Sequence, residues 1–457
     1  GIGCAPLAFA VITKYTYIHM SGVVKNEFTL LLRDTGSGDI ALVGGKNAAL
    51  GEMLRSLAPQ GIAVPDGFVV TVAAYRHFIR AANLETLIAR ELAALDSERA
   101  ADLAVRGARI REAIESAAFP RALEQEICER YREMEHEYGR ALDLAVRSSA
   151  TTEDLPGASF AGQMETFLHV VGEQALLWAV RSCFASLFTD RAISYRADKE
   201  FRDTDSALSV GVQRMVRSDK GASGVMFTID TESGLDTVVL INGSYGLGEH
   251  VVQGAVIPDE WTVFKPSLAG GASGIIGRSM GEKATKLVYA GSATEQSPVA
   301  ESDRHRFCLS DEEVRQLARW GIAIEKHFSK RSGEYRPMDI EWAKDGETGA
   351  LYILQARPET VHALKERDAY MEFRLLEQGE KPIVAGIAVG TGIATGPARV
   401  IIDTKDIGTF KRGEVLVTGV TDPDWEPVMK IAAAIVTDTG GRTSHAAIVS
   451  RELGIPC

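Results

Sequence analysis

The residues best suited to covalent chemistry lie near the carboxyl end of the sequence, where a histidine follows two glycines. The run Gly440-Gly441-Arg442-Thr443-Ser444-His445 leads into the alanine-rich stretch 446–449. This pattern predicts a loop and then a helix with His445 in its first turn, where unpaired N–H groups and the positive helix end lower the imidazole pKa. A neutral imidazole is a nucleophile that forms covalent intermediates, although a lone histidine is more often structural. We interpret His445 as a candidate phosphohistidine.

A second group of useful side chains lies on a predicted β-hairpin, whose strands flank the turn sequence 345–349. With the register centred on this turn, Glu341 lies opposite Gln355 and Asp339 lies opposite Arg357. A carboxylate and an amide oxygen side by side suit Mg²⁺, and Arg357 could contact a phosphoryl group. The alternative is a surface ion pair between Arg357 and one of the carboxylates.

Two further motifs place a cation beside small residues. Gly44-Gly45-Lys46 precedes an apolar spacing that predicts a helix with Asn47 as its N-cap, so Lys46 could bind an anion. Arg147 begins a run of hydroxyl, acidic and glycine residues that could surround a polyphosphate. The alternatives are a surface turn with a solvated lysine and an ordinary capped loop. The glycine run 243–249 is explained equally well by a hairpin turn.

The elements that must position these residues indicate an α+β or α/β protein of several domains. The sequence patterns predict helices within 74–137, a strand at 142–146, helical structure from 173 to 196, short strands between 210 and 264, and strands at 415–417 and 433–437. The charged stretch 361–384 is interpreted as a linker. A length of 457 residues is consistent with two to four domains.

Composition excludes several classes of protein. The net charge of −12 argues against non-specific nucleic-acid binding, and the apolar stretches near the start are too short to span a membrane. Five scattered cysteines without a C-x-x-C pair argue against a disulfide framework and favour the reducing cytoplasm. Because the chain begins with Gly1 and ends on a turn-like apolar phrase, we expect a piece of a longer protein.

Taken together, nine phrases resemble the phosphoenolpyruvate synthase (pyruvate, water dikinase) family. They occur in the family's order, span roughly residues 35–457, and read GGKNAALGEM, AVRSSATTEDLPGASFAGQ, GVQRMVRSD, SGVMFTIDTESG, YGLGEHVVQGAVIPDE, RPMDIEWAKDG, LYILQARPET, VTDPDWEPVMK and TDTGGRTSHAAIVSRELGIP. Related families share parts of the pattern: pyruvate phosphate dikinase, rifampicin phosphotransferase and glucan water dikinase. The Thr-Ser pair before His445 and the phrase DPDWEPVMK favour the synthase.

The resemblance implies ATP-grasp nucleotide-binding lobes, a swivelling β/β/α phosphohistidine domain that is truncated here, and a pyruvate-binding barrel that is absent from this chain. The expected divisions are a poorly patterned extension (1–34), a first ATP-grasp lobe with a helical insertion (35–205), a second lobe (206–360), a linker (361–384) and the phosphohistidine domain (385–457). The implied reaction converts ATP, pyruvate and water to AMP, phosphoenolpyruvate and phosphate, with Mg²⁺ as cofactor.

The resemblance also implies individual roles, carried over position by position. Lys46, Arg147 and Arg357 would bind the phosphates, and Gln213, Met215 and Val216 would form the adenine side. Glu249 would lie in a nucleotide loop, and Glu341 and Gln355 would bind magnesium. His445 would be the residue that is pyrophosphorylated, and Thr443 would be the target of a regulatory kinase/phosphorylase. A homodimer is left open. The alternative of a different class is a nucleotide-binding piece without turnover.

Overall fold

The computed structural model describes residues 28–95, 100–151, 165–198, 207–291, 293–359, 384–390, 392–442 and 444–457. Three regions singled out from the sequence therefore lie wholly or mostly outside the described residues. These are the linker at 361–384, most of the polar run after Arg147, and Thr443. Their predicted roles stay predictions.

The described residues form sixteen strands, thirteen α-helices and five short 3-10 helices. The strands are β1 (Thr29–Leu31), β2 (Gly67–Val70), β3 (Asp143–Ala150), β4 (Thr166–Val171), β5 (Leu208–Arg214), β6 (Ala222–Phe227), β7 (Val238–Tyr245), β8 (Asp259–Phe264), β9 (Ile275–Ser279), β10 (Thr285–Ala290), β11 (Ala293–Pro298), β12 (Met338–Lys344), β13 (Leu351–Pro358), β14 (Ala398–Val400), β15 (Val415–Thr418) and β16 (Ala434–Thr437). The helices are α1 (Ile40–Ser56), α2 (Val72–Ala81), α3 (Glu85–Ala93), α4 (Ala100–Ser116), α5 (Arg121–Tyr138), α6 (Glu173–Ser186), α7 (Asp190–Asp198), α8 (Glu249–Val252), α9 (Lys265–Ala269), α10 (Glu301–Arg304), α11 (Asp311–Ser332), α12 (Glu426–Met429) and α13 (His445–Leu453). The expectation of a mixed α/β protein with several domains and sheets is confirmed at this level.

The first sheet is antiparallel, with the strand order β1-β2-β5-β3-β4. Its apolar face packs against helices α2, α4, α5 and α6. Strand β1 lies within the predicted extension 1–34, yet it pairs with β2. Strand β5 follows the expected division at 205 but hydrogen-bonds between β2 and β3. Strand pairing therefore joins segments on either side of the expected divisions at 34 and 205, and the divisions themselves stay predictions.

The second sheet is also antiparallel, with the order β13-β12-β6-β7-β8-β9. Its β12–β13 hairpin has the predicted register, with Glu341 opposite Gln355 and Asp339 opposite Arg357. The alternate residues Met338, Ile340 and Trp342 are fully buried, as expected for side chains on the other face. Asp345 shapes the turn by accepting backbone hydrogen bonds from residues 347 and 348. The hairpin prediction is confirmed.

Helix α1 joins the two large sheets, because it contacts strands of both. Gly44 interrupts the helix with a φ of 73°. Asn47 is not the N-cap: two helical segments join across Gly44, Asn47 lies inside the second of them, and its buried amide donates to Ser209 Oγ at 2.9 Å. That cap prediction is wrong because contact with β5, rather than the local sequence, occupies the Asn47 side chain.

The third sheet is small and parallel, in the order β14-β15-β16. Its core includes Leu416, Ile435 and Val449, the last from α13. Ser444 caps α13 by accepting from Ala447 N, so His445 occupies the first helical position, as predicted. Across the described part of the chain, none of the helices combines the length and apolar character needed to span a bilayer.

Candidate functional site

A cavity of about 390 Å³ lies between the two large sheets, and residues of α13 also line it. Its walls include ten residues that the sequence analysis selected: Lys46, Arg147, Gln213, Met215, Val216, Glu249, Glu341, Gln355, Arg357 and His445. Asp339 is not part of the wall but holds Arg357, and Thr443 lies outside the described residues. Side chains separated by up to 399 positions in sequence (46 to 445) therefore share one space.

Lys46 reaches this cavity because Gly44 allows α1 to approach the first sheet closely. A Cβ on Gly44 would lie 2.3 Å from Ser149 Oγ and 2.5 Å from Ser149 O. The positive φ of Gly44 also disfavours any other residue. The glycines of the Gly-Gly-Lys motif thus bring the lysine onto β3 instead of leaving it in a surface turn, the alternative considered for it.

Arg147 connects the two sheets across the cavity. It lies on β3, and its Nη1 is 3.4 Å from Oε2 of Glu341 on β12. Its Nε atom is buried and has no hydrogen-bond partner among the described residues. A buried guanidinium N–H without a partner is costly, so this nitrogen suits an anionic ligand.

Glu341 and Gln355 lie side by side on β12 and β13, with a bulge in the register between Glu341 and Trp342. Arg357 is held by Asp339, whose Oδ2 accepts from Nε at 2.9 Å and lies 2.8 Å from Nη2. Burial raises the pKa of Asp339, and the Arg357 guanidinium opposes this. The alternative ion pair therefore exists, and it leaves Glu341 and Gln355 at the cavity wall.

These two residues fit Mg²⁺ bound jointly with phosphate oxygens, since Mg²⁺ takes one or two protein oxygens beside those of a nucleotide. Among the described residues, no cluster of three or more His, Cys, Asp or Glu side chains is arranged to hold a metal alone. The donor set thus fits a nucleotide-bound ion rather than a metal site built by protein residues only.

The apolar part of the cavity is lined by the end of β5 and the residues that follow it. Gln213 is buried and donates from Nε2 to Pro65 O at 3.1 Å. Met215 N donates to Asp143 O at 2.9 Å, which fixes the extended chain beside β3. Leu168 and Leu354 complete this part of the wall. A flat aromatic group bordered by main-chain polar atoms fits such a surface.

The cavity is locally cationic although the whole chain is acidic. Five cationic side chains and three carboxylates line it, namely Lys46, Arg147, Arg191, Arg214 and Arg357 against Glu165, Glu249 and Glu341. Burial raises the pKa of Glu249, and the Arg147 charge opposes that shift. The positive charge needed to compensate a polyphosphate is therefore concentrated in this cavity, although the chain as a whole carries a net negative charge.

His445 faces the same space from the start of α13. It is 8% exposed, and burial, followed by repulsion from Arg191, lowers its pKa to about 4. Its Nδ1 lies 3.1 Å from the buried hydroxyl of Thr421. The predicted downward pKa shift is confirmed, but its leading cause is burial. The imidazole is therefore neutral at pH 7, as a nucleophile must be.

The segment that carries His445 is attached to the second sheet's side of the cavity. Glu232, in the loop between β6 and β7, forms an ion pair with Arg451 of α13 and accepts from Gly390 N at 2.8 Å. A Cβ on Gly254 would lie 2.5 Å from Ser444 Cβ, so the backbone after α8 touches the residue before the histidine. These contacts hold the imidazole at the cavity.

Several polar or charged side chains of the site were not singled out from the sequence, and one of them, Arg214, is the last residue of β5, directly after a selected glutamine. Thr421 contacts the histidine, and Glu165 and Arg191 form a 2.9 Å ion pair at the cavity wall. Arg191 is the second residue of α7 and belongs to no recognised sequence motif, so its place in the site is recognised only from its position near His445 in the structure. Thr421 lies within a phrase of the resemblance, which gave the only available signal.

Two family descriptions match the sequence. Residues 40–378 match "Pyruvate phosphate dikinase, AMP/ATP-binding domain", and residues 410–457 match "PEP-utilising enzyme, mobile domain". The first match covers most of the chain and includes every selected residue except Thr443 and His445. The second match includes both of these.

Curated relatives are similar over nearly the whole chain. The phosphoenolpyruvate synthase of Aquifex aeolicus is 53% identical over 445 residues, which is 96% of this chain and 52% of the relative. That of Escherichia coli is 49% identical over 442 residues, covering 96% and 54%. A probable phosphoenolpyruvate synthase of Staphylothermus marinus is 42% identical over 475 residues, covering 96% and 55%. The chain spans about half the length of the curated relatives it matches.

Proposed function

The chain belongs to the pyruvate phosphate dikinase family through its AMP/ATP-binding domain, and from this membership we propose that it performs the ATP-dependent half of phosphoenolpyruvate synthesis. The proposed overall reaction converts ATP, pyruvate and water to AMP, phosphoenolpyruvate and phosphate. Its support is the similarity to phosphoenolpyruvate synthases over 96% of the chain. The observation that carries the proposal is that His445 lines the same cavity as the cationic and oxygen-ligand residues.

In this proposal the two antiparallel sheets are the lobes of an ATP-grasp fold, and the parallel sheet with α13 begins a swivelling phosphohistidine domain. The cavity between the lobes supports the first assignment. The match of residues 410–457 to a mobile domain supports the second. Transfer to pyruvate then needs a domain from the part of the relatives that this chain does not match.

ATP is proposed to lie with its adenine against Gln213, Met215 and Val216, and its phosphates near Lys46, Arg147 and Arg357. Glu249 would border the nucleotide. Mg²⁺ held by Glu341 and Gln355 would neutralise charge on the nucleotide oxygens. Phosphoryl transfer needs mainly positioning and charge stabilisation, which these side chains supply.

His445 is proposed as the nucleophile through Nε2. For Nε2 to present its lone pair, Nδ1 carries the proton and donates to Thr421 Oγ1, a contact of 3.1 Å. Nε2 attacks the β-phosphorus of ATP, the bond from that phosphorus to the oxygen shared with the α-phosphate breaks, and AMP leaves with that oxygen. Water then releases the terminal phosphoryl group as phosphate, and one phosphoryl group stays on the imidazole.

The test is incubation with ATP labelled at the β-phosphate. Wild type should acquire acid-labile label, His445→Ala should acquire none, and the exposed His305→Ala control should behave as wild type. Label on His445→Ala would overturn the assignment of the nucleophile. Thermal stabilisation of wild type by Mg–ATP without label would favour the alternative of a nucleotide-binding piece without turnover.

Regulation and location complete the proposal. Thr443 precedes the histidine by two positions, and we propose that a regulatory kinase/phosphorylase modifies it, since a phosphate there would repel the nucleotide. Thr443→Glu should then abolish His445 labelling.

A cytoplasmic location is supported by the free thiols of Cys128, Cys183, Cys308 and Cys457.

A further inference from the structure

The β10–β11 hairpin lies outside both large sheets and covers a loop of the cavity wall. This loop, residues 246–248, leads into α8 at Glu249, and Leu247, Gly248 and Glu249 all line the cavity. Leu247 N donates to Leu287 O of β10 at 3.0 Å. Gly246 has a φ of 91°, and a Cβ there would lie 2.6 Å from Leu287 O. The backbone of the hairpin therefore packs directly on the loop.

One aromatic ring connects this hairpin to the first sheet. Tyr289, near the end of β10, stacks on His169 of β4 with ring centroids 4.3 Å apart and an interplanar angle of 21°. Arg217 also lies over the Tyr289 ring, 5.5 Å from its centroid. Ring stacking and a cation over an aromatic face are both attractive. The hairpin thus reaches from the second sheet's loop to a strand of the first sheet.

The partner of this ring is itself fixed. His169 has a φ of 59°, unusual for a residue other than glycine, and its Nδ1 lies 2.9 Å from Asp143 Oδ2. The backbone carbonyl of Asp143 accepts from Met215 N, on the apolar side of the cavity. Such strained backbone persists only where surrounding contacts determine it. Asp143 therefore connects the stacked pair with the cavity wall.

The ring of Tyr289, rather than its hydroxyl, makes these contacts. The hydroxyl oxygen is buried and has no hydrogen-bond partner among the described residues. At the other end of β10, Thr285 Oγ1 lies 2.9 Å from Nε2 of His250 in α8. The hairpin is thus held at its start by α8, in its middle by Leu247 and near its tip by the stacked ring.

We propose that Tyr289 is a positioning residue for nucleotide binding. By stacking on His169 it holds the β10–β11 hairpin across the gap between the sheets, and Leu287 O in turn fixes the Leu247–Glu249 wall. This inference rests on the proposed function, since it assumes that the cavity binds Mg–ATP. It affects how tightly nucleotide binds, and it leaves the transfer to His445 unchanged once the site is saturated.

The test compares Tyr289→Ala with two matched variants in the complete 457-residue chain. Tyr289→Phe keeps the stacked ring, and Thr294→Ala changes the exposed residue opposite Tyr289 on β11. We expect Tyr289→Ala to raise the Kd for Mg–ATP about tenfold, measured by calorimetry, with a labelling rate at saturation near that of wild type. Both other variants should bind nearly as tightly as wild type.

Amide exchange of Leu247, without nucleotide, gives a second readout that does not depend on the proposed function. Tyr289→Ala should exchange faster there, whereas Tyr289→Phe should not. If wild type fails to bind ATP, the proposed function fails, and faster exchange in Tyr289→Ala would still support the positioning contact. If Tyr289→Ala does not fold, Tyr289→Leu takes its place. Unchanged affinity and exchange, or an equal loss in Tyr289→Phe, would overturn the inference.

Discussion

Thr421 Oγ1 lies 3.1 Å from Nδ1 of His445, and both residues are buried. Thr421 follows β15, and His445 begins α13, so the contact links a loop of the parallel sheet to the start of the helix. One ring nitrogen is therefore engaged by a hydroxyl. In the proposed mechanism this contact orients the imidazole and leaves Nε2 as the reactive atom.

Replacing Thr421 with valine should slow phosphorylation of His445 about tenfold, because one orienting hydrogen bond is lost. Binding of Mg–ATP should not change, since Thr421 is not part of the cavity wall. Rapid-quench measurement of labelled protein gives the rate, and calorimetry gives the affinity. Thr439→Val is the matched control, because its hydroxyl donates to Gly419 O instead. Equal rates in both variants would contradict an orienting role for Thr421.

The depressed pKa of His445 predicts a specific response to acid. Its pKa of about 4 lies below the ordinary 6.5, so between these values the unfolded chain binds more protons than the folded chain. Stability is therefore lost as the pH falls through this range, and the loss between pH 7 and 5 amounts to about 2 kcal/mol. Urea unfolding at both pH values should show a smaller loss for His445→Gln. An equal loss would show that His445 is not buried in its neutral form.

The rate at which His445 is labelled should depend on pH through the protonation of its imidazole. Because the imidazole is neutral down to about pH 4, its titration should leave the rate level between pH 6 and 8. A histidine with an ordinary pKa would lose much of its rate between pH 7 and 6. Single-turnover labelling at saturating Mg–ATP separates these outcomes.

Local patterns predict local geometry well in this chain. The opposition of Glu341 and Gln355 follows from the turn between their strands and the two-residue period of side chains. The contact of Arg147 with Glu341 joins residues 194 positions apart, and no local rule predicts it. Asn47 failed as an N-cap for the same reason, since a strand far along the chain supplies its partner. The family resemblance assigns such distant residues to the same site, but the distances between them follow only from the packing of the folded chain.

Gly44 should tolerate no side chain, because its Cβ would overlap Ser149 and its φ is positive. Gly44→Ala should weaken Mg–ATP binding and destabilise the chain by about 2 kcal/mol or more. Gly172→Ala is the matched control: its φ of 88° and ψ of 157° are close to the 73° and 168° of Gly44, but nothing lies within 4 Å of the added Cβ. The difference between the two free energies of unfolding isolates the close approach. Equal losses would mean that backbone strain alone explains the glycine.

Glu341→Gln should reduce phosphorylation of His445 by about a hundredfold or more at ordinary Mg²⁺ concentrations, because the carboxylate proposed to bind Mg²⁺ becomes neutral. Raising the Mg²⁺ concentration should restore part of the rate, since the remaining oxygen ligands still bind weakly. Glu347→Gln is the control on the same hairpin, where Glu347 pairs with Lys220 at the surface. A loss in Glu341→Gln that Mg²⁺ does not relieve at all would argue for a role other than metal binding.

Glu232 should control how long the His445 segment stays at the cavity. It pairs with Arg451, whose side chain is only 6% exposed, and it accepts from Gly390 N as well. Glu232→Ala removes both contacts and leaves the Arg451 charge poorly compensated, so the attached arrangement is disfavoured. Labelling of His445 should slow about tenfold while the Kd for Mg–ATP stays constant, because Glu232 does not line the cavity. Glu334→Ala, at an exposed position, should change neither. A normal labelling rate in Glu232→Ala would mean that the contacts beside Ser444 suffice to hold the histidine in place.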